Sequence, residues 1–130
     1  MDNSQAQLQS SIEVVAQVRY LAEQSNPDHA EYTFAYTISI ANKGDEAVQL
    51  LARHWIITDG NNSVREVEGE GVVGDQPHIQ PGEVYQYSSG AILATKIGTM
   101  EGNYKMLSAS GQTFDAIIHP FGLIHPDSLQ

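Results

Sequence analysis

The chain contains no cysteine. That absence excludes disulfides, thiolate metal sites and thiol nucleophiles. It is compatible with a reducing cytosol. Cations are scarce too: six Lys and Arg face sixteen Asp and Glu, for a formal net charge of −10. Arg19, Lys43, Arg53, Arg65, Lys96 and Lys105 are scattered and form no run. Nucleic-acid binding begins with a positive patch that neutralises phosphate, so no nucleic-acid partner is expected. The charge favours solubility and attracts cations or basic partners. Long apolar runs are missing as well. None approaches the ~20 residues that span a bilayer, so no membrane insertion is expected. The N-terminal MDNSQAQLQSS has neither the basic nor the apolar stretch of a secretory signal. A cytoplasmic protein is the default. Finally, no segment shows a convincing helical period.

What is there reads as strands. Tyr32, Phe34, Tyr36, Ile38 and Ile40 alternate with small or polar residues, the mark of a half-buried strand. Ile12, Val14, Ala16 and Val18 form a similar face. AVQLLARHWIITD is apolar on both faces in places, as in a central strand, with Trp55 as a natural core plug. Asp59-Gly60-Asn61-Asn62 predicts a hairpin returning as SVREVE. Gln80-Pro81-Gly82-Glu83 suits a type II turn, followed by EVYQYSS and a separate short strand AILAT. EGNYKMLSA and TFDAIIHPF complete seven or eight strands. The pattern predicts an all-β, immunoglobulin-like antiparallel sandwich. Tyr104, near the start of a late strand, reads either as a tyrosine corner or as an ordinary core tyrosine. With 130 residues, one domain is expected: residues 11–126, with a flexible N-terminal tail at 1–10 and a C-terminal tail at 127–130.

The stretch GEGVVG, Gly69 to Gly74, has the G-x-G-x-x-G spacing of a dinucleotide loop. Such a loop needs a helix after it, whose N-terminus receives the pyrophosphate. Here Pro77 and Pro81 fall where that helix would run. Glu66, Glu68, Glu70 and Asp75 surround the loop with like charge. Three readings of Gly69, Glu70, Gly71, Val72, Val73 and Gly74 therefore stand. The loop is a sharp turn with Val72-Val73 tucked inward, a backbone nest for an anion, or a partner-binding surface. Arg53, Trp55, Tyr85 and Tyr87 are candidates for an interaction face, since aromatics anchor interfaces.

Metal and catalytic signals are thin. The five histidines, His29, His54, His78, His119 and His125, have no H-x-x-x-H spacing. Glu66, Glu68 and Glu70 would alternate onto one strand face and, with Asp75, are weak candidates for a hard cation. The favoured reading is a solvated, charged edge strand, because the ligand spacing of an EF-hand-like site is absent. No G-x-S-x-G elbow is present. No cofactor and no enzymatic activity are expected.

The run RHWIITDG, then EVEGEGVVGDQPHIQPGEVYQYSSG, then GTMEGNYKM and finally PFGL, resembles the bacterial ApaG family, also called CorD, from about Ile12 to Pro126. The resemblance implies a fibronectin type III-like sandwich. It implies a protein-interaction role, like that of related domains appended to F-box proteins, and a link to cobalt tolerance and magnesium efflux. It also carries a suggested pyrophosphate site at Gly69, Gly71 and Gly74. The expectation is a non-catalytic module that docks an unidentified protein partner, with weak homodimerisation left open. The competing expectation is a small-ligand binder, for a divalent cation or a pyrophosphate-type anion, at the glycine loop.

Overall fold

The computed structural model describes residues 3–128. A helix, α1 (Asn3–Ser11), precedes eight strands: β1 (Ile12–Tyr20), β2 (Tyr32–Asn42), β3 (Val48–Asp59), β4 (Val64–Glu70), β5 (His78–Ile79), β6 (Val84–Leu93), β7 (Ile97–Ser108) and β8 (Thr113–Ile124). Two antiparallel sheets form, in the orders β1-β2-β6 and β4-β3-β7-β8, with β5 also paired to β3. This is the all-β sandwich of the immunoglobulin and fibronectin type III kind that the alternation predicts. No helix among the described residues is long and apolar enough to cross a membrane.

The alternating residues of β2 fill the space between the sheets. Phe34, Ile38 and Ile40 are fully buried, and Tyr36 nearly so. They meet Trp55, Met100, Tyr104, Met106, Ala116 and Ile118 from the other sheet, in one cluster. Each large side chain taken out of water stabilises the fold by about 1.5–3 kcal/mol. Inner-face parity changes along β3. Val48 and Leu50 point in, then the register shifts between Leu50 and Ala52, and Trp55 and Ile57 point in thereafter. That β-bulge re-aims every later residue of the strand.

Several expectations are corrected. Residues 3–10 of the expected flexible tail lie in a helix that runs on to Ser11, while Met1 and Asp2 lie outside the described residues. The helix escapes a periodicity reading because Leu8 is its one buried apolar residue. It is held instead by glutamine amides: Gln5 Nε2 donates to Thr113 O and Gln9 Nε2 to Asp115 O, both at 2.9 Å. Of the expected C-terminal tail, Asp127 and Ser128 belong to a 3₁₀ turn, and residues 129–130 lie outside the described residues. AILAT is not a separate strand, since β6 runs unbroken through Ala91–Leu93. Tyr104 is not a tyrosine corner, because its hydroxyl meets that of Tyr87 (2.5 Å) and not upstream backbone.

Candidate functional site

The glycine stretch starts inside a strand. Gly69 and Glu70 are the last residues of β4, paired with Arg53 and Ala52 of β3. A side chain at Gly69 would collide with the Arg53 guanidinium, which would lie 2.8 Å from a Cβ there. Its bare backbone lets Arg53 lie across the strand, where Nη1 donates to the carbonyls of Glu70 and Gly71, each at 3.0 Å. The chain then leaves β3 at the bulge. Leu51 O anchors the departure, accepting from Gly71 N–H (2.9 Å) and Gln76 Nε2 (2.9 Å).

Val72 to Asp75 close a two-residue hairpin. The N–H of each donates to the carbonyl of the other at 2.8 Å. Val73 and Gly74 both have positive φ, 42° and 85°. Positive φ at both central positions is the type I′ signature, for which Asn-Gly is the preferred pair. Here the pair is Val-Gly. A β-branched residue in this region is a genuine outlier. Val72 is fully buried beneath the turn, whereas Val73 is 60 % exposed at its apex. The expectation that both valines tuck inward therefore holds for Val72 and fails for Val73. After the turn, β5 rejoins the same edge of β3 opposite Val48 and Gln49.

A line of aromatic residues ties the hairpin to the core. Tyr85 Oη donates to Asp75 Oδ2 (3.2 Å), Tyr85 packs beside Tyr87, and the Tyr87 and Tyr104 hydroxyls meet. Tyr104 lies edge-on to Trp55. Trp55 and Tyr87, expected on an interaction face, are buried, because the bulge and the register of β6 turn them inward. Arg53 and Tyr85 are half-buried at the rim. Burial, and then the neighbouring Tyr87, pushes the Tyr104 phenol far above its ordinary value. Burial likewise raises Tyr87, against the opposing bond from Tyr104. Tyr85 is raised by burial and then by the Asp75 carboxylate. All three phenols stay protonated at neutral pH, so they serve as hydrogen-bonding and packing groups and not as bases.

The acidic candidates divide. Glu66, Glu68 and Glu70 do alternate onto one face of β4, opposite Ile56, His54 and Ala52. His54 Nε2 lies 3.6 Å from Glu68 Oε1 and 3.9 Å from Glu66 Oε2. This face carries a shallow trough of about 530 Å³, lined in part by His54, Glu68, Glu70, Asn103, Lys105 and Asp115. Asp75 is engaged by Tyr85 of the other sheet and does not join them. Among the described residues, no group of three or more His, Asp or Glu could hold a metal ion. For an anion, the loop offers little unused backbone, since the N–H groups of Gly71, Val72 and Asp75 all bond within the protein.

The family model for the ApaG domain matches residues 22–108. The chain belongs to the ApaG family. It is 50 % identical over 118 residues to Protein ApaG of Pseudomonas putida, covering 91 % of this chain and 94 % of that relative. With Protein ApaG of Thiobacillus denitrificans it shares 53 % over 115 residues, covering 88 % and 91 %. Among solved structures it is similar to structural-genomics target SoR45 (TM-score 0.90, 49 % identity, 95 % of this chain and 93 % of that one). It is also similar to a Bordetella pertussis structure described as an ApaA protein (TM-score 0.87, 46 % identity, 90 % and 95 %). The ApaG hairpin, G-E-G-V-V-G, is thus a structured turn on an immunoglobulin-like scaffold.

Proposed function

We propose that the chain is a non-catalytic, cytoplasmic protein-interaction module whose glycine hairpin docks a protein partner. The resemblance to the ApaG family suggests a pathway affecting cobalt and magnesium homeostasis. The observation that carries the docking reading is Val73. It occupies a left-handed conformation that costs an L-residue about 1–2 kcal/mol, and its side chain is spent on solvent. Strain at an exposed apex, held by a network that fixes everything around it, points to recognition and not to folding. Arg53, Gln76 and Tyr85 brace that apex, so docking Val73 costs little ordering entropy.

The test is a photo-crosslinking residue at position 73 in cells, with the adducts identified by mass spectrometry. One dominant protein adduct is expected, competed away by untagged wild type but not by Val73→Asp. Only non-specific adducts, or equal competition by Val73→Asp, would remove the hairpin from the interface. The second reading, a ligand site, is tested by titrating Mg²⁺, Co²⁺, pyrophosphate and diadenosine tetraphosphate while following amide shifts. Silence over residues 66–76 is expected. Saturable shifts there at micromolar ligand would favour the ligand site instead.

A further inference from the structure

A two-sheet sandwich has exposed strand edges, and proteins guard them against unwanted pairing. Three edges here are guarded. Along β8, α1 lies against the strand and its Gln5 and Gln9 amides occupy the Thr113 and Asp115 carbonyls. β8 also holds Pro120 at an irregular register. β4 carries Arg65, Glu66, Glu68 and Glu70 within seven residues. β1 carries Glu13, paired to Lys43 at 2.9 Å, and Arg19. The fourth edge, β6, is VYQYSSGAIL: ten residues with no charge and no proline, and no shift in its register with β2.

The hydrogen-bond phase shows what β6 offers. Asn42 N–H donates to Glu83 O (3.0 Å) just before the β2–β6 ladder. Alternation from that pair turns the odd residues of β6 toward β2 and the even ones outward. The Arg65 guanidinium agrees, reaching the outward carbonyl of Ile92 at 2.7 Å. Val84, Gln86, Ser88 and Gly90 therefore direct their N–H and C=O groups to the open edge. The same even residues carry side chains on the outer face, where Val84 is 60 % and Ile92 50 % exposed.

We propose that β6 pairs with β6 of a second copy, antiparallel about a two-fold axis through Ser88. The strand is self-complementary in this register. Val84 and Ile92 lie four residues either side of Ser88, so the axis sets each against the other twice. Gln86 faces Gly90, and Ser88 faces itself. Apolar cross-strand pairs stabilise such a ladder, and no like charges oppose each other within it. A closed, isologous dimer also removes the unguarded edge from further pairing. At the Ile92 end, a neighbouring N–H takes the place of the Arg65 guanidinium. The net charge of −10 on each copy opposes association, so the dimer is weak and tightens with salt. This surface is separate from the Val73 apex, and its readout is self-association, not a foreign adduct.

The experiment is sedimentation of the full chain from about 1 µM to about 1 mM, at low and high salt. A reversible monomer–dimer equilibrium strengthened by salt is expected. Val84→Glu with Ile92→Glu sets like charges opposite each other twice and should weaken it about tenfold or more. Val84→Lys with Ile92→Glu restores opposite charges in the antiparallel register, and only there, and should recover dimerisation. Both positions are exposed, so circular dichroism should show the fold of each variant intact. Because the chain has no cysteine, Ser88→Cys gives a clean trap. Its Cα atoms would lie about 5.5 Å apart across the axis, within disulfide range, and oxidation should yield a covalent dimer. A monomer at every concentration, as when β6 instead awaits a foreign strand, would overturn the proposal. So would a dimer indifferent to the two glutamates, a failed charge-swap rescue, or no Ser88→Cys crosslink.

Discussion

β4 has a tight turn at each end, and the two turns follow opposite rules. At its start, Asp59 to Ser63 form a three-residue loop in which the left-handed position is taken by Asn62, φ 70°. Asparagine tolerates that conformation. Side chains close the loop: Asp59 accepts from Ala94 N–H (2.6 Å), Gly60 N–H (2.8 Å), Thr95 N–H (3.1 Å) and the Thr95 hydroxyl (2.5 Å). At its end, the left-handed position is taken by Val73, whose side chain faces solvent. One turn is consistent at every level, from residue choice to hydrogen bonding. The other breaks its local rule at one residue while keeping the surrounding bonds. A rule broken at an exposed apex is a departure of the kind found at functional or strained sites.

The largest effect is expected from breaking the frame of the strained turn. Gly71 has φ 63°, and a Cβ there would lie 2.2 Å from Asp75 O. Gly71→Ala should cost about 3 kcal/mol, combining left-handed strain with a backbone clash that no rotamer relieves. Urea unfolding measures it, and a loss under 1 kcal/mol would mean that the turn is loose.

Breaking the consistent turn comes next. Asp59→Ala should cost about 2 kcal/mol at pH 7, since it removes several charge-assisted bonds at one site. The cost should depend on pH with a definite sign. Burial opposes the Asp59 charge, but the hydrogen bonds from Thr95, Ala94 and Gly60 outweigh it and hold the carboxyl below its ordinary 3.8. A depressed folded value gives stability that is complete above the unfolded pKa and lost as pH falls through the folded one. The gap between wild type and Asp59→Ala should therefore narrow below pH 4. A gap that widens in acid would contradict the assignment.

The same two turns show how far the sequence could be read. Asp-Gly-Asn-Asn announced its hairpin because its residue types are the ones the geometry needs. Period-two alternation in β2 announced both a strand and its buried face. Trp55 was legible as core, but its candidacy for an exposed face, like that of Tyr87, was resolved only by register. The bulge near Leu51 changes inner-face parity in the middle of β3, and no local residue type signals it. α1 was illegible for a different reason. One buried leucine gives no period, and the bonds that hold it reach residues more than a hundred positions away. At Val73 local chemistry did not announce the geometry, because valine argues against a left-handed turn. The positive φ of Val73 and Gly74, in a turn closed by the paired Val72–Asp75 hydrogen bonds, shows that it adopts one.

The smallest effect sharpens the comparison by making the two turns alike. Val73→Asn gives β4 an Asn-Gly type I′ turn, the pair best suited to positive φ at both centres. Strain of about 1–2 kcal/mol is relieved, and little packing is lost from a side chain 60 % exposed. The variant should be more stable than wild type by about 1 kcal/mol in urea unfolding, a modest rise in Tm. It should also bind less well to whatever crosslinks at position 73, because the apolar apex is gone while the frame is intact. That opposition separates recognition from folding. A variant both more stable and equally competent in docking would leave Val73 without a role. A less stable one would show that the turn does not carry the strain its φ implies.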